Sequence, residues 1–205
     1  MKKPKAVIYD NDGMVTSGGR VSEKYAREFG IEIKSLLPFF EGPLRKCQLG
    51  EADLTLELQQ ILEAWKWKGS VEELMTYWFG VGDELNEQIY SSVIALKNQG
   101  LVTCLATNNE KYRLQYLIKK HNYNKVFDEI FSSADLGAYK QSQEGSEKIY
   151  RFLKDKYDIV DRGEILYWDD RTENVAKLNA FGFNAQLYTD YNHLKTVMES
   201  AGYKI

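Results

Sequence analysis

Short apolar runs alternating with helical patterns constrain the fold of this chain more than any other feature. The runs are KAVIY, LVTCLAT, EIFSS, EILYW and NAQLYT, and the last four are separated by stretches long enough for helices. Apolar residues at consecutive positions, without alternation, are typical of strands covered on both faces. Strands and helices that alternate in this way predict βαβ units. We therefore expect an α/β fold, with a Rossmann-like parallel sheet core and helices on both faces.

One long stretch interrupts this alternation. About ninety residues between the first two strands carry helical patterns only, with Ser70 and Glu73 at the spacing of a capping box. Because a βαβ crossover needs a single helix, we expect residues 15–80 to form a small inserted all-helical cap, and residues 1–14 and 81–205 to form the core. Apolar stripes recur at helical spacing over Leu54, Leu58, Ile61 and Trp65, and again over Leu85, Ile89, Val93 and Leu96, where Gly100 is expected to end the helix.

Composition narrows the functional class. The chain has 205 residues, 43% of them hydrophobic and 28% charged, so it can bury a sizeable core as one domain with an insertion. Its net charge of −3 is spread along the chain, which argues against a nucleic-acid or anionic-membrane partner. No apolar segment approaches the ~20 residues that span a bilayer, and the N-terminal apolar run is too short for a signal peptide. With only Cys47 and Cys104 as cysteines, no disulfide framework is expected, and we predict a soluble cytoplasmic protein.

Polar side chains follow three of the predicted strands at the point where each strand ends, and a lysine stands beyond another. In an open parallel sheet, ligands bind at the carboxyl ends of the strands, near the place where the strand order reverses. Residues from separate strands therefore converge there although they are far apart in the sequence. The residues concerned are Asp10 and Asp12 after the first strand, Thr107 and Asn108 after the second, Lys140 beyond the third, and Asp169 and Asp170 after the fourth.

Each of these positions also has a purely structural explanation. The sequence from Asp10 to Gly13 is a common turn, and the polar residues after the other strands could cap helices or face solvent. A calcium-binding EF-hand loop that begins at Asp10 is excluded, because the positions that need glycine and glutamate hold Val15 and Val21. The ordered combination at strand ends favours a functional site over these separate explanations.

The segments DNDG, LATN, GAYK and YWDDRTENV, in this order, resemble the four motifs of the haloacid dehalogenase-like (HAD) superfamily of hydrolases. The resemblance covers nearly the whole chain and is to members with a small helical cap after the first motif, the subgroup of β-phosphoglucomutase and many sugar-phosphate phosphatases. It implies that Asp10 is the nucleophile and Asp12 the general acid/base. It also implies that Thr107, Asn108 and Lys140 bind the transferring phosphoryl group, and that a Mg²⁺ site is formed by Asp10, the backbone carbonyl of Asp12, Asp170 and Asp169, with Asn174 supporting the acidic pair.

Electrostatics agree with a bound cation in such a cluster. Two carboxylates about 4 Å apart repel by about 4 kcal/mol at an effective dielectric constant near 20, so several of them persist together only when cations neutralise them. Oxygen ligands without histidine or thiol favour Mg²⁺ over zinc. Asp10 must be ionised to attack phosphorus. Asp12 is expected to carry a proton at first, to give it to the leaving group and later to take one from water.

The resemblance implies a Mg²⁺-dependent phosphatase that hydrolyses a small phosphorylated metabolite, such as a sugar phosphate, through an aspartyl phosphate. A phosphomutase of the β-phosphoglucomutase type and a non-catalytic receptor for a phosphorylated ligand stay open as alternatives. Asp12 argues against cleavage of carbon–halogen bonds, because a departing halide needs no proton. We expect neither a nucleic-acid nor a membrane partner, and the sequence leaves monomer or homodimer undecided.

Within the predicted cap, the segment FFEGPLRKCQLGEADL is expected to face the substrate, with Arg45 and Lys46 as candidate contacts. A solvated basic pair on the cap surface is an equally good explanation of these two residues. The chain departs from the usual HAD pattern at Asn11, where relatives carry an apolar residue, and at Gln141, which replaces a frequent proline. Neither change removes a reacting group.

Overall fold

The computed structural model describes residues 2–205, in which seven strands and twelve helices are assigned. The strands are Ala6–Tyr9 (β1), Thr16–Ser17 (β2), Glu84–Leu85 (β3), Val102–Thr107 (β4), Glu129–Ser132 (β5), Ile165–Asp169 (β6) and Asn184–Leu187 (β7). The helices are Val21–Phe29 (α1), Ile33–Glu41 (α2), Pro43–Gln48 (α3), Leu54–Gln59 (α4), Val71–Phe79 (α5), Glu87–Lys97 (α6), Lys111–His121 (α7), Tyr123–Val126 (α8), Ser133–Leu136 (α9), Gln143–Tyr157 (α10), Thr172–Phe181 (α11) and Tyr191–Ser200 (α12). Within this described range, no helix is both long and apolar enough to cross a membrane.

Five strands form one parallel sheet in the order β5–β4–β1–β6–β7. The central strand is β1, which pairs with β4 on one side and β6 on the other, and all four of its residues are fully buried. After β5 the chain crosses to the far side of β1, so the strand order reverses between β1 and β6. The carboxyl ends of all five strands therefore lie at one edge of the sheet, with this reversal at its centre.

Helices cover both faces of the sheet, which confirms the predicted α/β class. Side chains alternate along β1, so Val7 and Tyr9 pack into one apolar cluster while Ala6 and Ile8 pack into another. The first cluster includes residues of α6, α7 and α12, and the second includes residues of α10 and α11. Burial on both faces explains why the strands read as continuous apolar runs in the sequence.

Helices α1 to α5, which we call the helical unit, pack around an apolar cluster of their own. The capping box at the start of α5 is present: the Ser70 hydroxyl accepts from the Glu73 N–H at 3.2 Å, and the Glu73 carboxylate accepts from the Ser70 N–H at 2.7 Å. The extent of the cap, residues 15–80, stays a prediction. The centre of the cluster is aromatic and aliphatic and includes Tyr25, Leu36, Phe39, Leu58, Leu74 and Trp78.

Two helix ends differ from the sequence prediction. The stripe from Leu54 to Trp65 does not form one helix, because α4 ends at Gln59 and the following residues form turns. Trp65 is buried all the same, and its carbonyl accepts a hydrogen bond from the Tyr25 hydroxyl at 2.8 Å, outside any helix. Contacts with other parts of the helical unit, and not a continuous helix, therefore bury Trp65. The second stripe forms α6 from Ile89 to Leu96, but Leu85 lies in β3, and α6 ends at Lys97, three residues before Gly100.

Two backbone segments join the helical unit to the sheet, and they pair with each other. We call residues 13–20 linker 1 and residues 80–86 linker 2. Strand β2 in linker 1 pairs antiparallel with β3 in linker 2, where only helices were expected. Strands of two residues are too short to leave a periodic pattern in a sequence. Gly18 has φ +124°, and a Cβ atom there would lie 2.5 Å from the Gly82 Cα, so the two linkers touch backbone to backbone.

Candidate active site

Three aspartates meet at the carboxyl edge of the sheet, where the strand order reverses. Asp10 follows β1 directly, and its N–H donates to the carbonyl of Trp168 at 3.0 Å. Asp169 is the last residue of β6 and Asp170 is the next in the chain. Carboxylate oxygens of Asp10, Asp169 and Asp170 all lie within 4.8 Å of one another. Parallel pairing of β1 with β6 thus brings together side chains that are about 160 positions apart in the sequence.

Lys140 lies between two of these carboxylates. Its Nζ is 2.5 Å from Asp10 Oδ1 and 2.8 Å from Asp169 Oδ2, and its side chain is only 1% exposed. The lysine comes from the turn between α9 and α10, where its backbone N–H donates to Asn108 Oδ1 at 3.1 Å and its carbonyl accepts from the Ser146 hydroxyl at 3.1 Å. Contacts to the end of β4 and to α10 therefore aim the ammonium group at the aspartates.

The pKa values of these groups reflect burial and an excess of negative charge. Burial raises the pKa of Asp10 to about 7, with Lys140 acting to lower it and Asp169 to raise it. Burial and the nearby Asp169 also raise the pKa of Asp170. Burial opposes the charge on Lys140, but Asp10 and Asp169 outweigh it and hold the pKa of the lysine above its ordinary value. One lysine among three carboxylates leaves a net negative site that a further cation would stabilise.

The geometry and chemistry of the three carboxylates fit a hard divalent cation. All the donors are oxygens, which such cations prefer. Asp169 is oriented by two donors to its Oδ1 atom, the Arg171 N–H at 3.0 Å and the Asn174 side-chain amide at 2.9 Å. Gly13 leaves room for Asp170, because a Cβ atom at this position of φ +87° would lie 2.2 Å from Asp170 Oδ2. Asn174 therefore contacts the acidic pair that it was predicted to support.

Thr107 and Asn108 lie beside the aspartates at the end of β4. The Thr107 hydroxyl oxygen accepts from the Asn109 N–H at 3.2 Å and from the Asn109 side-chain amide at 2.8 Å, so the hydroxyl proton can point elsewhere. The Asn108 side chain donates to Gln141 Oε1 at 2.9 Å while its own oxygen accepts from Lys140 N–H. Gln141, one of the departures from the usual pattern, thus helps to join the loop after β4 to the loop of Lys140.

Asp12 stands apart from the three clustered carboxylates and faces the helical unit. Its side chain is 47% exposed and accepts hydrogen bonds from three side chains: Arg113 Nη2 at 2.8 Å, Asn109 Nδ2 at 2.8 Å and Asn11 Nδ2 at 3.2 Å. Sequence reasoning missed Asn109 and Arg113 altogether, and treated Asn11 only as a departure from the usual pattern. The one local signal was the repeated asparagine in TNNE. The sequence gives no local signal for Arg113, because its contact with Asp12 depends on how α7 packs.

Two neighbouring spaces, which share Asp12 and Asn109 as lining residues, open over the aspartates. A cleft of about 340 Å³, which we call the aspartate cleft, has Asp10 and Lys140 among its lining residues and includes Arg45 from α3 on its helical side. Lys46 is exposed and lies outside this cleft. A larger space of about 670 Å³, the cap cavity, lies between the helical unit and the sheet edge. Its apolar side is formed by Leu37, Phe40, Leu44 and Trp78, and its polar side includes Asp12, Asn109 and Asp170.

Comparison with known proteins gives a fold but no sequence relative. No protein-family model matches the chain, and no curated protein matches it. A HAD-family enzyme of Bacteroides thetaiotaomicron, BT-2542, solved as a magnesium complex, superposes with a TM-score of 0.77 over 94% of this chain and 98% of its own, at 16% identity. A predicted HAD-like hydrolase of Porphyromonas gingivalis superposes with a TM-score of 0.75 over 96% of this chain and 98% of its own, at 15% identity.

The chain has the HAD fold. The same fold includes a protein described as a dehalogenase, which superposes with a TM-score of 0.65 over 96% of this chain and 98% of its own, at 17% identity. Identities this low establish the architecture and not the reaction. Within this HAD fold, Asp10, Lys140, Asp169 and Asp170 lie together at the carboxyl edge of the sheet, and Asp12, Asn108 and Arg45 are among the residues that line the aspartate cleft.

Proposed function

We propose that this chain is a Mg²⁺-dependent phosphatase that hydrolyses a small phosphorylated metabolite through an aspartyl phosphate on Asp10. The observation that carries the proposal is the meeting of Asp10, Asp169 and Asp170 within 4.8 Å, with the buried Lys140 between two of them. It is supported by the HAD-family enzyme of Bacteroides thetaiotaomicron, which was also solved with magnesium and inorganic phosphate and superposes with a TM-score of 0.75 at 16% identity.

In this proposal Mg²⁺ is held by the carboxylates of Asp10 and Asp170, with Asp169 beside them and the backbone carbonyl of Asp12 as a further ligand. When bound, Mg²⁺ neutralises the carboxylates and offsets the negative charge of the phosphoryl oxygens. The raised pKa values of Asp10 and Asp170 express the same need for positive charge. Lys140 supplies the fixed part of that charge.

The first half of the reaction transfers the phosphoryl group to Asp10. A carboxylate oxygen of Asp10 forms a bond to phosphorus as the ester bond from phosphorus to oxygen breaks, and the leaving alkoxide takes a proton from Asp12. The Lys140 ammonium and the Thr107 hydroxyl donate to the phosphoryl oxygens, whose charge shifts during transfer. Asp12 suits the proton transfer because it lies outside the aspartate cluster, on the side of the cap cavity.

The second half returns the enzyme to its starting state. Water attacks phosphorus, its proton passes to Asp12, and the bond between Asp10 and phosphorus breaks to release inorganic phosphate. A dehalogenase expels a halide that needs no proton in the corresponding first step. The presence of Asp12 beside the clustered carboxylates is therefore better explained by phosphate ester chemistry.

We further propose that residues 15–80 act as the cap and that the cap cavity receives the leaving group. A space of about 670 Å³ is in the usual range for a small-molecule site. Its mixture of apolar side chains and polar groups suits an organic metabolite better than a protein substrate. Arg45, which lines the aspartate cleft, is placed to contact the phosphate or a further anionic group of the substrate.

The test is a phosphate-release assay over a panel of phosphorylated metabolites, with Mg²⁺ and with EDTA. We expect release with Mg²⁺ only, and a loss of about 10³-fold or more in Asp10→Asn, because an amide cannot attack phosphorus. Asp155→Asn, a change at an exposed aspartate on α10, is the matched control and is expected to keep full activity. Activity that survives Asp10→Asn would contradict the proposal. So would halide release from a haloacid, or isomerisation of a sugar phosphate without phosphate release.

A further inference from the structure

One arginine contacts both Asp12 and the backbone of linker 2. Arg113 Nη2 is 2.8 Å from Asp12 Oδ1 and 3.2 Å from the carbonyl oxygen of Gly82, and Nη1 is 3.4 Å from the carbonyl oxygen of Val81. The arginine side chain is only 11% exposed. A guanidinium group has several donors in one rigid plane, so it can hold two acceptors in a fixed relation to each other. Here the two acceptors are a site carboxylate and a segment that leads to the helical unit.

We propose that Arg113 is a positioning residue that ties the orientation of Asp12 to the position of linker 2, and through it to the helical unit. The inference rests on the proposed function, in which Asp12 is the general acid/base. The orientation of the Asp12 carboxylate would then depend on the position of the helical unit over the site.

The arginine itself is fixed to the sheet. Leu114 and Leu117, on the same helix α7, are buried in the core cluster that includes Val7 and Tyr9. Linker 2, in contrast, connects α5 of the helical unit to α6 beside the sheet, and it pairs with linker 1 through β2 and β3. A displacement of the helical unit would move the carbonyls of Val81 and Gly82 relative to α7. Arg113 would then either lose those two acceptors or reorient to follow them. If it reoriented, Asp12 would lose its charged partner or move with it.

The other two donors to Asp12 hold it to the core. Asn109 also donates to Thr107 at the end of β4, and Asn11 is fully buried and accepts from the Tyr123 hydroxyl at 2.9 Å. These two asparagines therefore set a resting orientation of Asp12 that follows the sheet. Asn11 also bonds to Thr16 of linker 1 at 3.0 Å, but only Arg113 joins Asp12 directly to linker 2. Loss of Arg113 is expected to loosen Asp12 without releasing it.

The kinetic test compares leaving groups. Protonation by Asp12 matters for an alkyl phosphate, whose alkoxide is a strong base, but hardly for p-nitrophenyl phosphate, whose leaving group is stable as an anion. Since kcat/KM covers the steps up to departure of the leaving group, the later water step does not enter. We expect Arg113→Met to lower kcat/KM by about 10- to 100-fold for an alkyl phosphate and by less than about threefold for p-nitrophenyl phosphate. Arg113→Lys, which keeps the charge but not the planar donors, should fall between.

Lys120→Met is the matched control. Lys120 lies on the same helix and forms an ion pair with Asp83 of linker 2, but the described contacts of Lys120 do not include Asp12. This variant leaves the bond between Arg113 and Asp12 in place, so it should change the ratio of the two kcat/KM values by much less than Arg113→Met does. Equal losses on both substrates in Arg113→Met, or no loss on either, would overturn the proposal. A wild-type protein without phosphatase activity would instead overturn the proposed function.

A second measurement tests the coupling without catalysis. Amide hydrogen exchange is followed by mass spectrometry in peptides that cover residues 11–18 and 79–86. We expect faster exchange in both segments for Arg113→Met, and an increase mainly in the second segment for Lys120→Met. Exchange in residues 11–18 that stays at the wild-type rate in Arg113→Met would show that Arg113 does not join Asp12 to linker 2.

Discussion

Lys140 carries a full charge in a place where water does not reach. Its side chain is 1% exposed, and two carboxylates within 2.8 Å compensate the cost of burying it. The compensation works in both directions, because Asp10 and Asp169 are themselves buried and share this one ammonium group. A buried ion pair of this kind contributes little net stability when complete, but removal of one partner is costly.

Lys140→Met is therefore expected to lower the free energy of unfolding by about 3 kcal/mol in EDTA, because it leaves buried carboxylates without a counter-charge. Saturating Mg²⁺ should restore part of the loss, since a ligand bound to the folded state stabilises it. Urea unfolding of the wild type and the variant, with EDTA and with Mg²⁺, measures both effects. Lys148→Met on the exposed face of α10 is the control and should cost less than about 0.5 kcal/mol. A loss in Lys140→Met that is the same in EDTA and in Mg²⁺ would argue against a shared cation site.

Residues at strand ends could be predicted, and residues that reach the site from a helix could not. Asp10, Asp169 and Asp170 directly end or follow apolar runs, so the parallel sheet alone implies that they meet. Arg113 lies in an ordinary helical pattern, and its contact with Asp12 depends on the rotation of α7 against the sheet. Local sequence does not encode that rotation. Asn11 attracted notice as a departure, but its buried bonds to Thr16 and Tyr123 appear only in the assembled fold.

At the scale of elements, α7 connects the sheet to the helical unit. Its first turn is capped by Glu110, whose carboxylate accepts from the N–H groups of Tyr112 and Arg113 at 2.7 Å. The same turn reaches Asp53 at the start of α4, through Lys111 Nζ at 2.7 Å and the Tyr112 hydroxyl at 2.9 Å. This contact joins a core helix to the helical unit through side chains.

The contact at Asp53 gives a pH-dependent prediction. Hydrogen bonds from Lys111 and Thr55 hold the pKa of Asp53 below its ordinary value near 3.8. A carboxylate with a lowered pKa in the folded state stabilises that state fully above its unfolded pKa, and the stabilisation is lost as the pH falls toward the folded value. Asp53→Asn should thus cost about 1 kcal/mol at pH 7, a modest value because the side chain is 27% exposed, and progressively less below about pH 4.

Urea unfolding of wild type and Asp53→Asn at pH 7, 5 and 3 measures this dependence. The difference between the two proteins should be constant from pH 7 to 5 and smaller at pH 3. Asp155→Asn, which changes an exposed aspartate, serves as the control and should show almost no difference at any of these pH values. A difference for Asp53→Asn that is independent of pH would contradict the role given to the carboxylate charge.

Elements with several apolar positions could be predicted, whereas short or tertiary-dependent ones could not. Each of the five strands of the main sheet corresponds to an apolar run in the sequence. The stripe through Ile61 and Trp65 has helical spacing, but the turns after Gln59 bury Trp65 against Tyr25 instead. The strands β2 and β3 hold two residues each, and their pairing depends on the two linkers meeting in space.

At the scale of the whole molecule, linker 1 and linker 2 are the backbone connections between the helical unit and the sheet, and they contact each other. A side chain at Gly18 would need φ +124° and would place its Cβ atom 2.5 Å from the Gly82 Cα. We expect Gly18→Ala to lower the free energy of unfolding by about 2 kcal/mol, because the backbone is strained for alanine and the linkers must separate. Gly19→Ala, whose Cβ atom would meet nothing within 4 Å, should change it by less than about 0.5 kcal/mol.

Thermal or urea unfolding of the two alanine variants measures this pair of predictions directly. Because the substitutions are chemically identical and adjacent in the chain, the comparison measures what is particular to Gly18, its positive φ together with the close approach of the linkers. Equal stabilities for Gly18→Ala and Gly19→Ala would mean that the linkers do not need to touch.

The pairing of β2 with β3 has a consequence for how such a molecule can be varied. Thr16 faces Leu85 and Ser17 faces Glu84 across an antiparallel pair. The points at which the chain enters and leaves the helical unit are therefore neighbours. Directly opposed residues in such a pair have Cα atoms about 5 Å apart. A graft whose ends have that separation would fit the backbone geometry of the two linkers. The helical unit could thus be exchanged as a module, provided that the replacement keeps linker 2 in contact with Arg113.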